Sequence, residues 1–411
     1  MAGAAQRKQS NQPSPAHRVA GCYNLVRAGS VCSSWHGAYT TIRDDLGLWK
    51  QRQPQAPCLL YTAESASGES TTVLYSVTEK KAYTLRQPIR SWYFIGSAYG
   101  WLIAADERSE LHLVNPVTGD QIALPSITTI KQVTPIYDDN GALSEYSSWP
   151  AGNSERGPPS TFGLSELREY FFDKAFLSSD PSTGSYIVVL IHNTWGKLSF
   201  ARARDDSWTP LPPHDCFTDC VFKDDLMYAL TRLGAIHAFD FCGPAVKQSV
   251  VLEKMKDYIY EIMQIVLAPS GDLLQLWWKC ECVRKGEEVS HAKQPHPFYN
   301  YTPDKERDED EDEDEAEDED DEYSEPERDD SEPYTRYSTL AKAYRVNLAA
   351  KEPVEISSLG ENVLFVGQNQ SFCLFAQEHP QLKANHIHIT DMDQYIILQK
   401  DMERDIAILD L

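Results

Sequence analysis

The sequence predicts a mainly β protein: a β-propeller of antiparallel four-stranded blades behind a short helical N-terminal segment. Three observations carry that expectation. Hydropathy alternates with period two from residue 55 onward, in short runs separated by turn residues. Those runs group in fours, at intervals near the ~40–50 residues of known propeller repeats. Aromatic residues make up 11 % of the 411 residues, and such rings suit pleated, half-buried strands. A β-sandwich or two stacked sheets is the competing architecture, but roughly twenty strands would oversize one sandwich.

The N-terminus comes first. Residues 1–21 are polar and acid-free and lack an apolar stretch, so they read as a disordered tail rather than a secretory signal. Residues 22–50 carry a helical period. Val31, Trp35, Ala38, Ile42 and Leu46 step by 4, 3, 4 and 4, with Cys32 and Tyr39 on adjacent rows. After Pro54 the period changes to two, which sets the propeller at 55–411.

The Tyr75–Leu85 stretch reads as a hairpin. Trp92–Ile95, Trp101–Ala105, Leu111–Val114 and Gln121–Leu124 form a meander whose last turn is Asn115-Pro116-Val117-Thr118-Gly119. Residues 128–165, rich in Pro, Gly and Ser, read as a long loop with a short helix from Ser165. A second meander covers Lys174–Leu177, Tyr186–His192, Lys197–Ala203 and Trp208–Leu211. A third covers Thr218–Phe222, Leu226–Thr231 and Ala235–Phe241. A fourth covers Ile262–Ala268, Leu273–Cys282, Leu340–Leu348 and Val354–Ser357. The fifth covers Val363–Val366, Ser371–Phe375, His386–Ile389 and Ala407–Leu409. An open ring exposes two strand edges, so the last strand, Asp405–Leu411, is expected to pair beside Cys58–Thr62.

One segment cannot join a core. Between Asp304 and Glu332 stand 21 acidic and 3 basic residues, most of the chain's net charge of −24. Charge of one sign at this density repels itself, and almost no apolar surface offsets it. Residues 303–332 are therefore expected to be a disordered loop within the fourth blade. The acidity argues against nucleic acid as a partner. No run reaches the ~20 apolar residues of a membrane span, so no membrane partner is expected either.

Nine cysteines at irregular spacing suit a reducing compartment, hence an intracellular protein of nucleus or cytoplasm. Cys216 and Cys220, near His214, have no second pair at zinc-ribbon spacing. His386 and His388 share a strand face but lack a third ligand nearby. No metal or cofactor is expected. Phosphate-loop, zinc-protease and nucleophile-elbow motifs are all absent, so no catalytic residues are assigned and the chain is read as a non-enzyme.

Leu25–Tyr39, LVRAGSVCSSWHGAY, resembles the C-terminal helices of a plant F-box. The chain behind it resembles the KIB-type β-propeller family that follows such boxes. The matching residues are Tyr99-Gly100-Trp101-Leu102, Leu113–Gly119, Leu124-Pro125, Gly367–Phe372 and His379–Asp391. The resemblance implies a protein-binding substrate receptor of an SCF-type ubiquitin ligase, with the propeller presenting a target protein. Val31, Cys32 and Trp35 would face a Skp adaptor or pack the box. No Leu-Pro opening lies upstream of Leu25, so the box reads as truncated. That leaves open an adaptor-independent interaction propeller with no ligase role.

Overall fold

The computed structural model describes residues 57–149, 159–284, 334–390 and 406–411, apart from 65–69, 78, 86–91, 193–195, 214, 244 and 257–260. The helical period at 22–50, the N-terminal tail and the acidic run lie outside the described residues. The protein is mainly β, a β-propeller built largely of four-stranded sheets. Its contacts divide into two units, Met1–Arg90 with Val114–Gln121, and Ser91–Leu113 with Ile122–Leu411.

In the first unit, β1 (Cys58–Glu64), β2 (Ser70–Ser76) and β3 (Lys81–Leu85) form an antiparallel sheet. The Asn115–Gly119 turn belongs here. The Asn115 side chain accepts from the N–H groups of Val117 and Thr118, and Gly119 takes φ +78°. A side chain that mimics the backbone, with a glycine where φ must be positive, is why this pentapeptide turns.

The second unit holds the other six sheets. The first is β4 (Tyr93–Ala98), β5 (Trp101–Ala105), β6 (Leu111–Val114) and β7 (Gln121–Ala123). Next come β8 (Val133–Tyr137), β9 (Leu143–Ser148) and β10 (Ser160–Gly163), followed by a short helix α1 (Leu167–Phe171). β11 (Phe172–Leu177), β12 (Ile187–His192), β13 (Lys197–Arg202) and β14 (Thr209–Pro210) make a meander. So do β15 (Phe217–Lys223), β16 (Leu226–Thr231), β17 (Ile236–Asp240) and β18 (Lys247–Leu252). β19 (Ile262–Leu267), β20 (Leu273–Arg284), β21 (Tyr334–Asn347) and β22 (Glu352–Glu355) make another. The last sheet is β23 (Asn362–Gly367), β24 (Phe372–Phe375), β25 (His386–Thr390) and β26 (Ile406–Asp410).

Both faces of the middle sheets are covered, so their strands are largely apolar. In β12, Val188 and Leu190 face the core shared with the β4 and β8 sheets. Val189 and Ile191 face the core shared with the β15 sheet. β16 repeats the pattern, with Met227 and Ala229 on one side and Tyr228 and Leu230 on the other. In β20, Leu273 and Trp277 serve one core and Leu274 and Leu276 the next. Each such fully buried aliphatic side chain contributes ~1.5–3 kcal/mol. Period two thus sends successive residues of one strand into two different cores.

Four expectations need correction. Residues 128–165 are not a long loop: β8, β9 and β10 pair antiparallel there. The signal was Asn140-Gly141, a hairpin turn in which Gly141 takes φ +78° and Asp138 accepts from Asn140 and Ala142. The third meander has a fourth strand, β18, whose KQSVVL sequence runs from three exposed residues to a buried one and so shows little alternation. The fifth is not a meander. Its order is β24-β23-β25-β26, and β23 pairs with β25 in parallel. Finally, the C-terminal strand does not pair beside Cys58–Thr62. β26 pairs with β25, His386 opposite Asp410, while β1 pairs with β2.

Candidate functional site

The first strands of the sheets stand side by side in the second unit, β4 against β11, β11 against β15, β15 against β19, and β19 against β24. Such a succession of inner strands surrounds the axis of the propeller. Apolar side chains dominate these strands, yet each of three carries one buried polar residue. Lys174, Asp219 and Gln264 are the third residues of β11, β15 and β19, and they recur every 45 residues.

A backbone irregularity aims two of them. The ladder shifts register between Phe172 and Lys174, and again between Phe217 and Asp219. β4 has the same shift between Phe94 and Gly96. A bulge turns the following side chain away from its normal face. At the β4 position the residue is glycine because there is no room. A Cβ on Gly96 would lie 2.2 Å from the Ala175 carbonyl oxygen.

Two of these residues meet at one carbonyl, and the third meets one of the two. Lys174 Nζ donates to Gly367 O at 3.2 Å, and Gln264 Nε2 donates to the same oxygen at 2.7 Å. Lys174 Nζ also lies 3.5 Å from Asp219 Oδ1. Asp219 Oδ2 accepts from Ile265 N at 3.0 Å and from Ser371 Oγ at 3.5 Å. Burial pushes the Asp219 carboxyl up from the usual carboxylate range. The Lys174 ammonium and the Ile265 and Cys220 amides oppose that shift.

The Gly367-Gln368-Asn369-Gln370-Ser371 connection closes the cluster. Gln368 Nε2 donates to Asp173 O at 2.9 Å, and Gln370 Oε1 accepts from Leu177 N at 3.3 Å. One link between β23 and β24 therefore reaches β11, β15 and β19. These bonds tie the connection to three neighbouring sheets, while Gln264 Oε1 is buried without a hydrogen-bond partner among the described residues.

Residues 74–410 match the family model described as KIB1-4 beta-propeller. The chain belongs to the KIB1-4 beta-propeller family. It is 27 % identical over 286 residues to F-box only protein 7 of Arabidopsis thaliana, covering 68 % of this chain and 67 % of that one. It is 23 % identical over 223 residues to the Arabidopsis thaliana F-box protein KIB3, covering 53 % of this chain and 43 % of the relative. Against F-box/kelch-repeat protein KIB1 of the same plant it is 25 % identical over 225 residues, covering 53 % and 48 %. The chain thus spans about half or less of KIB3 and KIB1.

Two KIB-type segments now have a physical reason. Gly367–Ser371 is the axial link. In the C-terminal signature, Asn385 takes φ +62° and ties the connection before β23 to the end of β26. Its side chain accepts from Leu359 N at 2.7 Å, and donates to Asp410 Oδ1 at 2.9 Å and to Leu411 O. His386 Nδ1 faces Ala384 O at 2.8 Å, and the His388 ring stacks on Phe365 at 4.6 Å. Cys220 is buried and Cys216 half-buried. Among the described residues, no group of three His, Cys, Asp or Glu side chains could hold a metal. No described helix is long and apolar enough to cross a membrane. Val31, Cys32 and Trp35 lie outside the described residues.

Sequence reasoning missed the axial cluster. The available signal was an apolar strand with one polar residue in third place, repeated at 45 residues.

Proposed function

We propose that this chain is a non-catalytic, protein-binding subunit, the substrate receptor of an SCF-type ubiquitin ligase. The observation that carries this reading is the KIB1-4 propeller match over residues 74–410 behind an F-box-like Leu25–Tyr39 segment. Relatives named as F-box proteins support it. The axial cluster supports it as well, because side chains spent on joining blades leave recognition to the turns and outer surfaces. In this reading Val31, Cys32 and Trp35 engage a Skp adaptor or pack the box, and the propeller holds the target protein. A pull-down of this chain with a Skp adaptor tests it. Sub-micromolar binding that is lost in Trp35→Ala supports the receptor role. Absence of binding turns the reading into an adaptor-independent interaction propeller.

A further inference from the structure

Two buried oxygens at the propeller axis lack a donor. Gln264 Oε1 and Asp219 Oδ1 have no hydrogen-bond partner among the described residues. The Gln264 amide is oriented by its nitrogen, which donates to Gly367 O at 2.7 Å. Turned over, it would set two carbonyl oxygens against each other. Asp219 Oδ1 has the Lys174 ammonium at 3.5 Å, a separation longer than the ~2.7–3.2 Å of a well-made N–H···O bond. The other carboxylate oxygen is satisfied, since Ile265 N donates to Oδ2 at 3.0 Å.

Two separate routes bring these oxygens together. Lys174 Nζ and Gln264 Nε2 share the Gly367 carbonyl, and the same ammonium faces Asp219 Oδ1. Along the second route, the Asp219 carboxylate accepts from the amide of Ile265, the residue bonded directly to Gln264. Carboxylate and carboxamide are therefore neighbours across β15 and β19, which pack side by side. Both are sealed from solvent, Asp219 at 0 % and Gln264 at 1 % exposure.

A buried acceptor without a donor costs free energy, and proteins meet that cost with internal water making about three hydrogen bonds. We propose that the propeller axis binds one water molecule, which donates to Gln264 Oε1 and Asp219 Oδ1 and accepts from Lys174 Nζ. The ammonium has three hydrogens to give, and Gly367 O takes one of them. The chemistry of the site selects the ligand. An anion would stand against the Asp219 carboxylate, and a metal cation against the Lys174 ammonium. A neutral molecule with two O–H donors and one acceptor suits all three groups, and water is the smallest of these. It joins β11, β15 and β19 at a point where their side chains do not meet directly. The inference goes beyond the receptor reading and does not depend on any adaptor.

Crystals of the full chain, at a resolution that shows ordered water, test it. One spherical peak is expected within ~2.7–3.2 Å of Gln264 Oε1, Asp219 Oδ1 and Lys174 Nζ together. Soaking in rubidium bromide should leave that peak without anomalous signal. In solution, relaxation dispersion of the water oxygen counts molecules held inside a protein. Gln264→Met should hold one fewer than the natural chain, with circular dichroism verifying that the variant folds. The map of the natural chain needs no variant, so the test survives a Gln264→Met that fails to fold. No peak within reach of both oxygens, a protein side chain in its place, or rubidium or bromide at the position would overturn the proposal. An unchanged water count in folded Gln264→Met would overturn it as well.

Discussion

Lys174 Nζ lies 3.5 Å from Asp219 Oδ1, with the carboxylate sealed from solvent and the ammonium nearly so. The pair joins two blades and depends on a carbonyl from a third. Removing one member leaves the other charged and buried, a loss of ~3–5 kcal/mol for such pairs. Asp219→Asn should therefore lower the urea-unfolding free energy by about that much. Adding Lys174→Met should restore a large part of it. A single variant as stable as the natural chain would show that the two charges are not coupled.

Gly367→Ala should be more damaging than an ordinary glycine replacement. Its Cβ would lie 2.1 Å from Thr390 O, across the parallel β23–β25 pair. The backbone must move, and with it the oxygen that holds Lys174 and Gln264. Overpacking alone costs ~1–3 kcal/mol, and the lost axial bonds add to it. Gly163→Ala is the comparison, with its new Cβ no nearer than 3.7 Å to a neighbour. Its effect should stay within ~0.5 kcal/mol. Equal melting temperatures for the two variants would contradict the argument.

His192 should make the fold acid-sensitive. Its Nε2 meets Ser199 Oγ at 2.8 Å, and its ring stacks on Phe171 at 5.0 Å. Burial, then the Lys197 ammonium, lowers its pKa from 6.5 to about 3. The folded state takes up this proton later than the unfolded chain does. Its contribution is therefore complete above pH 6.5 and lost as pH falls toward 3, by up to ~1.4 kcal/mol per pH unit. His192→Gln should flatten the dependence of stability on pH between 6.5 and 4.5. An unchanged slope would assign the acid sensitivity elsewhere.

The acidic run should be dispensable for folding. Arg284 at the end of β20 lies opposite Tyr334 at the start of β21, so the hairpin is already closed beneath the insertion. Loop-closure cost grows slowly with length, about 0.6 kcal/mol per doubling. A Gly-Ser linker replacing 303–332 should shift the melting temperature by only a few degrees at most. A large loss would mean that the run contributes contacts to the blade.

Much of the blade pattern could be read from the sequence, because local alternation and turn chemistry encode it. β4–β7 and β11–β14 fall within a few residues of the expected strands. What escaped was mostly non-local. Nothing in Phe372–Phe375 shows that this strand lies inside β23, since periodicity carries no information about pairing order. β8 has Pro135 within it and three exposed or half-exposed neighbours, so composition outweighed the Asn-Gly turn. Lys174, Asp219 and Gln264 read separately as stray polar residues. Their meaning lies in the 45-residue interval and in a carbonyl far along the chain.

The Gly367 carbonyl also sets a clock. Lys174 precedes it by 193 residues. At the ~5–20 residues per second of ribosomal synthesis, the lysine emerges roughly 10–40 s before its acceptor exists. During that interval Lys174 and Asp219 have no oxygen from β23 above them, and Gln264 has no carbonyl to hold. The middle blades can form their shared cores while nascent, but the axis stays unlatched until the last blade leaves the ribosome. A chain stalled before Gly367 would present a row of inner strands with an open polar seam, a surface that chaperones or degradation machinery can distinguish from the finished protein.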